Sequence, residues 1–163
     1  MNFTVRKIEK KDDKTVEYII RACLIEFGGN RQGLAWADPD LCRFSTLYNR
    51  DGWAYWVAEL DSGEVVACSG IGDLGDGVCE LQKMYCLAPY RGKGIGRALM
   101  DKCLDFAKKR YDKCYIETLA NMEKANRFYQ NYGFVSLSEP YIKTEHYACD
   151  RWYLLDLKRQ KSE

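Results

Sequence analysis

Between Pro89 and Ala98 the chain reads Pro89-Tyr90-Arg91-Gly92-Lys93-Gly94-Ile95-Gly96-Arg97-Ala98, with three glycines at alternate positions and three bases among them. Glycines so spaced let the backbone turn tightly with no Cβ in the way. The apolar positions that follow, Ile95, Leu99, Cys103 and Phe106, recur at helical spacing and predict a helix that begins inside the turn and runs to about Arg110. A helix starting there directs unpaired N–H groups and its positive dipole end outwards. The turn is therefore suited to phosphate oxygens, with Arg91, Lys93 and Arg97 adding charge at the same mouth. Two common phosphate loops do not fit. A P-loop carries Ser or Thr after its Gly-Lys pair, whereas Gly92-Lys93 runs into Gly94. A dinucleotide fingerprint closes on a third glycine where Arg97 stands.

Elements on both sides must hold this turn. Upstream, Tyr55 to Leu60 and Glu64 to Gly70 are β-rich runs joined by Asp61-Ser62-Gly63, which predicts a hairpin. Gly72 to Gly77 predicts a glycine-rich turn, after which a strand from Val78 to Leu87 leads into the basic turn. Downstream, Cys114 to Thr118 is a further strand, and Ala125, Phe128, Tyr129 and Tyr132 share one face of a helix ended by Gly133. At the start of the chain, Phe3 to Ile8 reads as a strand. Asp12 and Asp13 then offer an N-cap to a helix carrying Val16, Ile19, Ile20, Cys23, Leu24 and Phe27, stopped by Gly28 and Gly29. A short helix is expected around Asp40 to Tyr48. Phe134 to Leu137 and Arg151 to Leu157 close the chain as strands, joined by a polar loop that holds the single histidine, His146.

This order of strands and helices argues an α+β or α/β sheet with helices packed on it, and 163 residues suit one domain spanning 1–163. An apolar fraction of 47% with 30% charged residues excludes a disordered or fibrous chain. With 25 bases against 24 acids there is no chain-wide field to recruit nucleic acid or an anionic membrane. The neutrality is an average, because Leu81 to Met100 holds four bases and no acid. No apolar run approaches the ~20 residues of a membrane helix. Met1 to Lys7 leads into charge without an apolar signal region, so the eight cysteines are expected as free thiols in the cytoplasm. No Cys-x-x-Cys pair occurs and histidine is single, so no metal site is expected.

Arg91-Gly92-Lys93-Gly94-Ile95-Gly96, after a strand ending Met84-Tyr85-Cys86-Leu87, resembles the pyrophosphate motif of the GCN5-related N-acetyltransferases, the GNAT family. A second block, Glu117-Thr118-Leu119-Ala120-Asn121 with Ala125-Asn126-Arg127-Phe128-Tyr129 and Gly133-Phe134, is similar to that family's later motif. Two linked motifs in the right order are far more specific than either alone. The resemblance covers roughly residues 53 to 135, and Cys79 to Tyr85 and Cys149 to Tyr153 look like a bacterial subgroup. It implies a mixed, mostly antiparallel central sheet with splayed middle strands and helices on both faces. It further implies acetyl-CoA as cofactor and direct transfer of the acetyl group to a primary amine. A small-molecule amine is the leading acceptor; a protein N-terminus or lysine, or a non-catalytic acyl-CoA sensor, are the alternatives. A homodimer is compatible with the family.

The same resemblance distributes roles. Main-chain N–H groups from Gly92 to Arg97, with Arg91, Lys93 and Ile95 among them, would hold the pyrophosphate. The pantetheine arm would lie between Tyr85–Leu87 and the strand Cys114 to Thr118, with amides at Cys86 and Leu87 offered to the arm and the thioester oxygen. Tyr129 would protonate the departing thiolate, since a phenol near ~10 stays protonated and the thiol titrates near ~8.5. Asn121, or Asn126, would bond the pantetheine amide, or Asn121 would cap the helix. Glu80 and Glu117 are the candidate bases for the acceptor's proton. Glu26, Arg31, Trp36, Asp38 and His146 are candidates for the acceptor pocket. Cys86 has no evident base partner and is not expected as a nucleophile.

Overall fold

Strand β2 (Ala54–Leu60) buries five consecutive residues, Ala54 to Ala58, which places it in a sheet covered on both faces. In the computed structural model, which describes residues 1–158, seven strands form that sheet; residues 159–163, the end of the expected domain, lie outside the described residues. With β1 (Phe3–Lys7), β3 (Val65–Gly75), β4 (Val78–Cys86), β5 (Lys113–Thr118), β6 (Val135–Leu137) and β7 (Arg151–Asp156), the order is β1-β2-β3-β4-β5-β7-β6. Neighbours are antiparallel except β4 and β5, which are parallel. These two pair only over Val78–Glu80 and Lys113–Tyr115. Beyond that point they run on to Cys86 and Thr118 without pairing, and the gap between them is the expected splay.

Helix α3 (Ile95–Lys108) covers one face through Ile95, Leu99, Met100, Cys103, Leu104 and Ala107. Burying Leu99, Met100 and Leu104 contributes about 1.5–3 kcal/mol each. The other face carries α1 (Asp13–Glu26), with Val16, Ile19, Ile20 and Leu24 buried, and the short α2 (Phe44–Leu47). Helix α4 (Glu123–Asn131) follows β5 and inserts Tyr129 into the α3 layer. No helix among the described residues is long and apolar enough to cross a membrane.

Within β4 the register against β3 slips between Cys68↔Tyr85 and Gly70↔Gln82, so Ser69 faces Lys83 and Met84 together. Lys83 absorbs the extra residue with φ at +50°, the mark of a β-bulge.

Three local expectations need correction. Neither Asp12 nor Asp13 caps α1 by its side chain. The Asp12 carboxylate is taken by Arg6 at 2.8 and 3.0 Å and by the Glu9 N–H at 2.8 Å, while Asp13 accepts from the Ser45 N–H at 2.9 Å and hydroxyl at 2.6 Å, tying α1 to α2. The glycines from Gly72 onwards are not all turn, because β3 runs through Gly75. Gly72 lies inside the strand because a Cβ there would stand 2.7 Å from both Gln82 Nε2 and the Trp53 ring. The short helix expected from Asp40 to Tyr48 is only the four residues of α2, preceded by a 3-10 turn at Ala35–Ala37.

Candidate active site

At the glycine turn, Gly92 and Gly94 have φ of +73° and +89°, and a Cβ on either would meet nothing within 4 Å. Glycine is needed there for conformation, and the space above it is open. The first helical bond of α3 runs from Ala98 N–H to Gly94 O at 3.1 Å. Ile95, Gly96 and Arg97 thus have N–H groups with no intrahelical carbonyl, beside the exposed Lys93 and Arg97. Open space, free amides and positive charge together fit a pyrophosphate. Arg91 plays another part: its Nε donates to Cys86 O at 2.7 Å and its Nη1 to Glu26 at 2.6 Å. It clips the turn to the end of β4 and to α1. Glu26, expected at the acceptor pocket, therefore stands beside the glycine turn and outside the lining of the cavity described below.

Along the gap, Leu87 N–H donates to Val66 O at 3.0 Å, so it is occupied by the β3 ladder and is not offered to a ligand. Antiparallel alternation turns the neighbouring Cys86 N–H the opposite way, into the gap. The expected pair of amides reduces to this one. The Cys86 thiol is pushed up to about 11 by burial, against the pull of Arg91, and is no thiolate at neutral pH.

Tyr129 is 7% exposed, packed against Phe134 and Tyr153. Its hydroxyl has no hydrogen-bond partner among the described residues. No side-chain oxygen or nitrogen there is both shut away and unpartnered, so this hydroxyl opens to accessible space. Burial, then Tyr153, raises the phenol above its ordinary value, which keeps it protonated. Burial, then Tyr129, likewise raises Tyr85 across the gap. Asn121 does not cap α4 but donates to Phe27 O at 2.7 Å, at the end of α1. Asn126 staples the loop between β5 and α4, donating to Leu119 O at 2.9 Å and Met122 O at 2.8 Å while accepting from Tyr153 at 2.6 Å.

Where β4 and β5 part, the two acids lie together. Glu80 is 6% exposed, and the Glu117 side chain 4%. Burial, then the charge of Glu117, pushes the Glu80 carboxyl up to about 7. Glu117 accepts from Thr144 and, at 3.3 Å, from Tyr115. Both acids line a small cavity with Lys83, Tyr85 and His146. His146 reaches Asp38 at 2.9 Å and Lys83 Nζ reaches the same carboxylate at 2.9 Å. Burial raises the Asp38 carboxyl, but His146 and Lys83 outweigh it and hold it below its ordinary value.

Segments 33–38 and 144–149 supply Leu34, Ala35, His146 and Cys149 to the lining of this cavity and are bonded to one another. Ala148 N–H donates to Gly33 O at 3.0 Å, and Asp38 is bonded to His146. Of the expected acceptor residues, then, Asp38 and His146 are at the site. Trp36 points elsewhere, with the Arg21 guanidinium 4.7 Å over its ring, and Arg31 is exposed outside the cavity. Sequence reasoning missed Lys83, Thr144, Gln82 and Tyr48. Gln82 donates to Glu80 at 2.6 Å and accepts from Tyr48 at 2.6 Å. Strand alternation could have found Gln82, two residues after Glu80; nothing local announces the bulge at Lys83 or the two distant side chains.

Residues 51–136 match the family model of the acetyltransferase (GNAT) domain. An N-acetyltransferase of Escherichia coli K12, YjgM, is 34% identical over 158 residues, covering 94% of each chain. Among solved structures, a GNAT-family acetyltransferase from Staphylococcus aureus Mu50 superposes with a TM-score of 0.84 at 23% identity, over 96% of this chain and 99% of that one. The PaiA N-acetyltransferase of Thermoplasma acidophilum, solved with coenzyme A, gives 0.75 at 15% identity over 96% and 99%. These two are likenesses of fold.

Proposed function

The chain belongs to the GNAT family of N-acetyltransferases and uses acetyl-CoA, and from that premise we propose that it acetylates the primary amine of a small molecule, with Glu80 as the base. The observation that carries this is the small cavity holding the buried Glu80–Glu117 pair at the parting of β4 and β5. Two carboxylates in a low-dielectric site attract an ammonium group, and an acid titrating near neutrality can relieve it of its proton. The Gly92–Arg97 turn would hold the pyrophosphate, and Cys86 N–H would face a carbonyl oxygen in the gap. Bound there, acetyl-CoA supplies the activated acetyl thioester. Tyr129, kept protonated by its burial, would give its proton to the departing thiolate.

The small size of this cavity, with segments 33–38 and 144–149 bonded together, favours a compact amine over a peptide, which would need a longer open groove. The costly buried acid pair favours an enzyme over a sensor module. One domain across the chain and a cytoplasmic setting belong to the same proposal, the second supported by eight free cysteines. An amine-library screen with free-thiol release as readout tests the acceptor. Turnover of compact amines supports the proposal; turnover of peptides alone would refute it. Calorimetry with acetyl-CoA separately tests the cofactor assignment.

A further inference from the structure

Among the described residues Glu80 accepts one side-chain hydrogen bond, from Gln82 Nε2 at 2.6 Å. Gln82 in turn accepts the Tyr48 hydroxyl proton on Oε1 at 2.6 Å. Tyr48 is 4% exposed, and its ring is fixed by Phe44 at 5.0 Å, Trp53 at 5.6 Å and Tyr55 at 4.8 Å between centroids. The strand glycine Gly72 leaves the niche into which the Gln82 amide fits. A carboxamide has one accepting and one donating end. With Tyr48 donating to the first, the second faces Glu80. Turning the amide over would strand the Tyr48 proton in a buried site, which costs the desolvation of an unpaired donor.

We propose that Tyr48 is a positioning residue for the base: acting through Gln82, it holds an amide N–H, never the amide carbonyl, against Glu80 and so favours the ionised carboxylate. This rests on the reading of Glu80 as base. Other groups also face that carboxyl: Glu117, Tyr115 and Cys114 from β5, His146 and Cys149 from the loop before β7, and Lys83 on its own strand. Burial and Glu117 favour the neutral acid; Gln82, Lys83 and His146 oppose them. Once Tyr48 loses its hydroxyl, the amide is free to turn, and its carbonyl can accept from protonated Glu80.

The test is a carbon-13 NMR titration of the Glu80 carboxyl in the cofactor-free protein, its resonance identified by its loss in Glu80→Gln. Tyr48→Phe keeps the ring packing and is expected to raise the titration midpoint by about one pH unit. Gln82→Met removes the donor itself and should raise it at least as far. Adding Tyr48→Phe to Gln82→Met should then change nothing more, because Tyr48 acts only through the amide. In the enzyme, the acid limb of kcat/KM should move upward with the midpoint while the high-pH plateau is kept. An unmoved midpoint in Tyr48→Phe, or an equal shift in the Gln82→Met background, would overturn the proposal. Full turnover by Glu80→Gln would instead remove Glu80 as base, while the titration would still decide the wiring.

Discussion

The two mouths of the β4–β5 gap are built by opposite means. The glycine turn is open, made of main-chain N–H groups within seven residues, and charged by side chains that stand in solvent. The cavity where β4 and β5 part is made of side chains from five separate stretches of chain, and its charges are buried against one another. Backbone donors bind a ligand common to many enzymes of one fold. Side chains on loops can be exchanged without disturbing that binding, so acceptor choice is free to vary while the cofactor half stays fixed.

The largest effect should come from the buried side. Glu80→Gln is expected to lower turnover by ~10²- to 10⁴-fold, the range for a general base, with acetyl-CoA affinity unchanged by calorimetry. With Glu80 as the proposed base, the wild-type enzyme should also lose kcat/KM below about pH 7, where that carboxyl, pushed up by burial, takes up its proton. A profile flat from pH 5 to 8 would separate the acid pair from the chemistry.

The open side should fail differently. Gly94→Val forces a β-branched residue to φ of +89°, and we expect acetyl-CoA affinity to fall at least ~10-fold, since strain of this kind costs about 1–3 kcal/mol. Tyr129→Phe, between the two mouths, should reduce turnover by about tenfold while cofactor binding persists, as measured by single-turnover kinetics and calorimetry. The smallest change is expected from Asp38→Asn, which removes the charge that both Lys83 and His146 hold. The acceptor KM should rise roughly fivefold with little change in kcat, the effect of one partly buried ion pair. Loss of cofactor affinity in that variant would mean that the two mouths are not independent.

The same contrast explains what could be read from the amino-acid sequence. A pyrophosphate turn is legible because its parts are adjacent: Gly92, Gly94 and the start of α3 must be neighbours in the chain to be neighbours in space. The helices and strands were legible through their apolar periods, down to the stop at Gly133. The cavity at the parting of β4 and β5 brings Glu80, Lys83, Glu117 and His146 together, with Asp38 and Thr144 bonded to them, and only the tertiary fold does so. Glu26 illustrates the difficulty. Its helix is plain in the sequence, but the rotation that sets it over Arg91 depends on how α1 seats on the sheet. Asp12 and Asp13 look like caps, yet Arg6 and the Glu9 N–H just upstream claim the first, and the distant Ser45 claims the second.

The bulge at Lys83 has a consequence for the length of β4. Ahead of it, Cys79 and Leu81 look into the α3 layer; beyond it, Met84 and Cys86 do, while Tyr85 and Leu87 join the α1 layer. Odd and even positions have exchanged sides, as after a frameshift. Excising Lys83 would restore regular alternation and leave the other side chains on their present faces, because Gln82 and Met84 would then follow one another opposite Gly70 and Ser69. The spare residue therefore adds one cation to the cavity wall, the Lys83 ammonium that reaches Asp38 at 2.9 Å, without turning over either half of the strand.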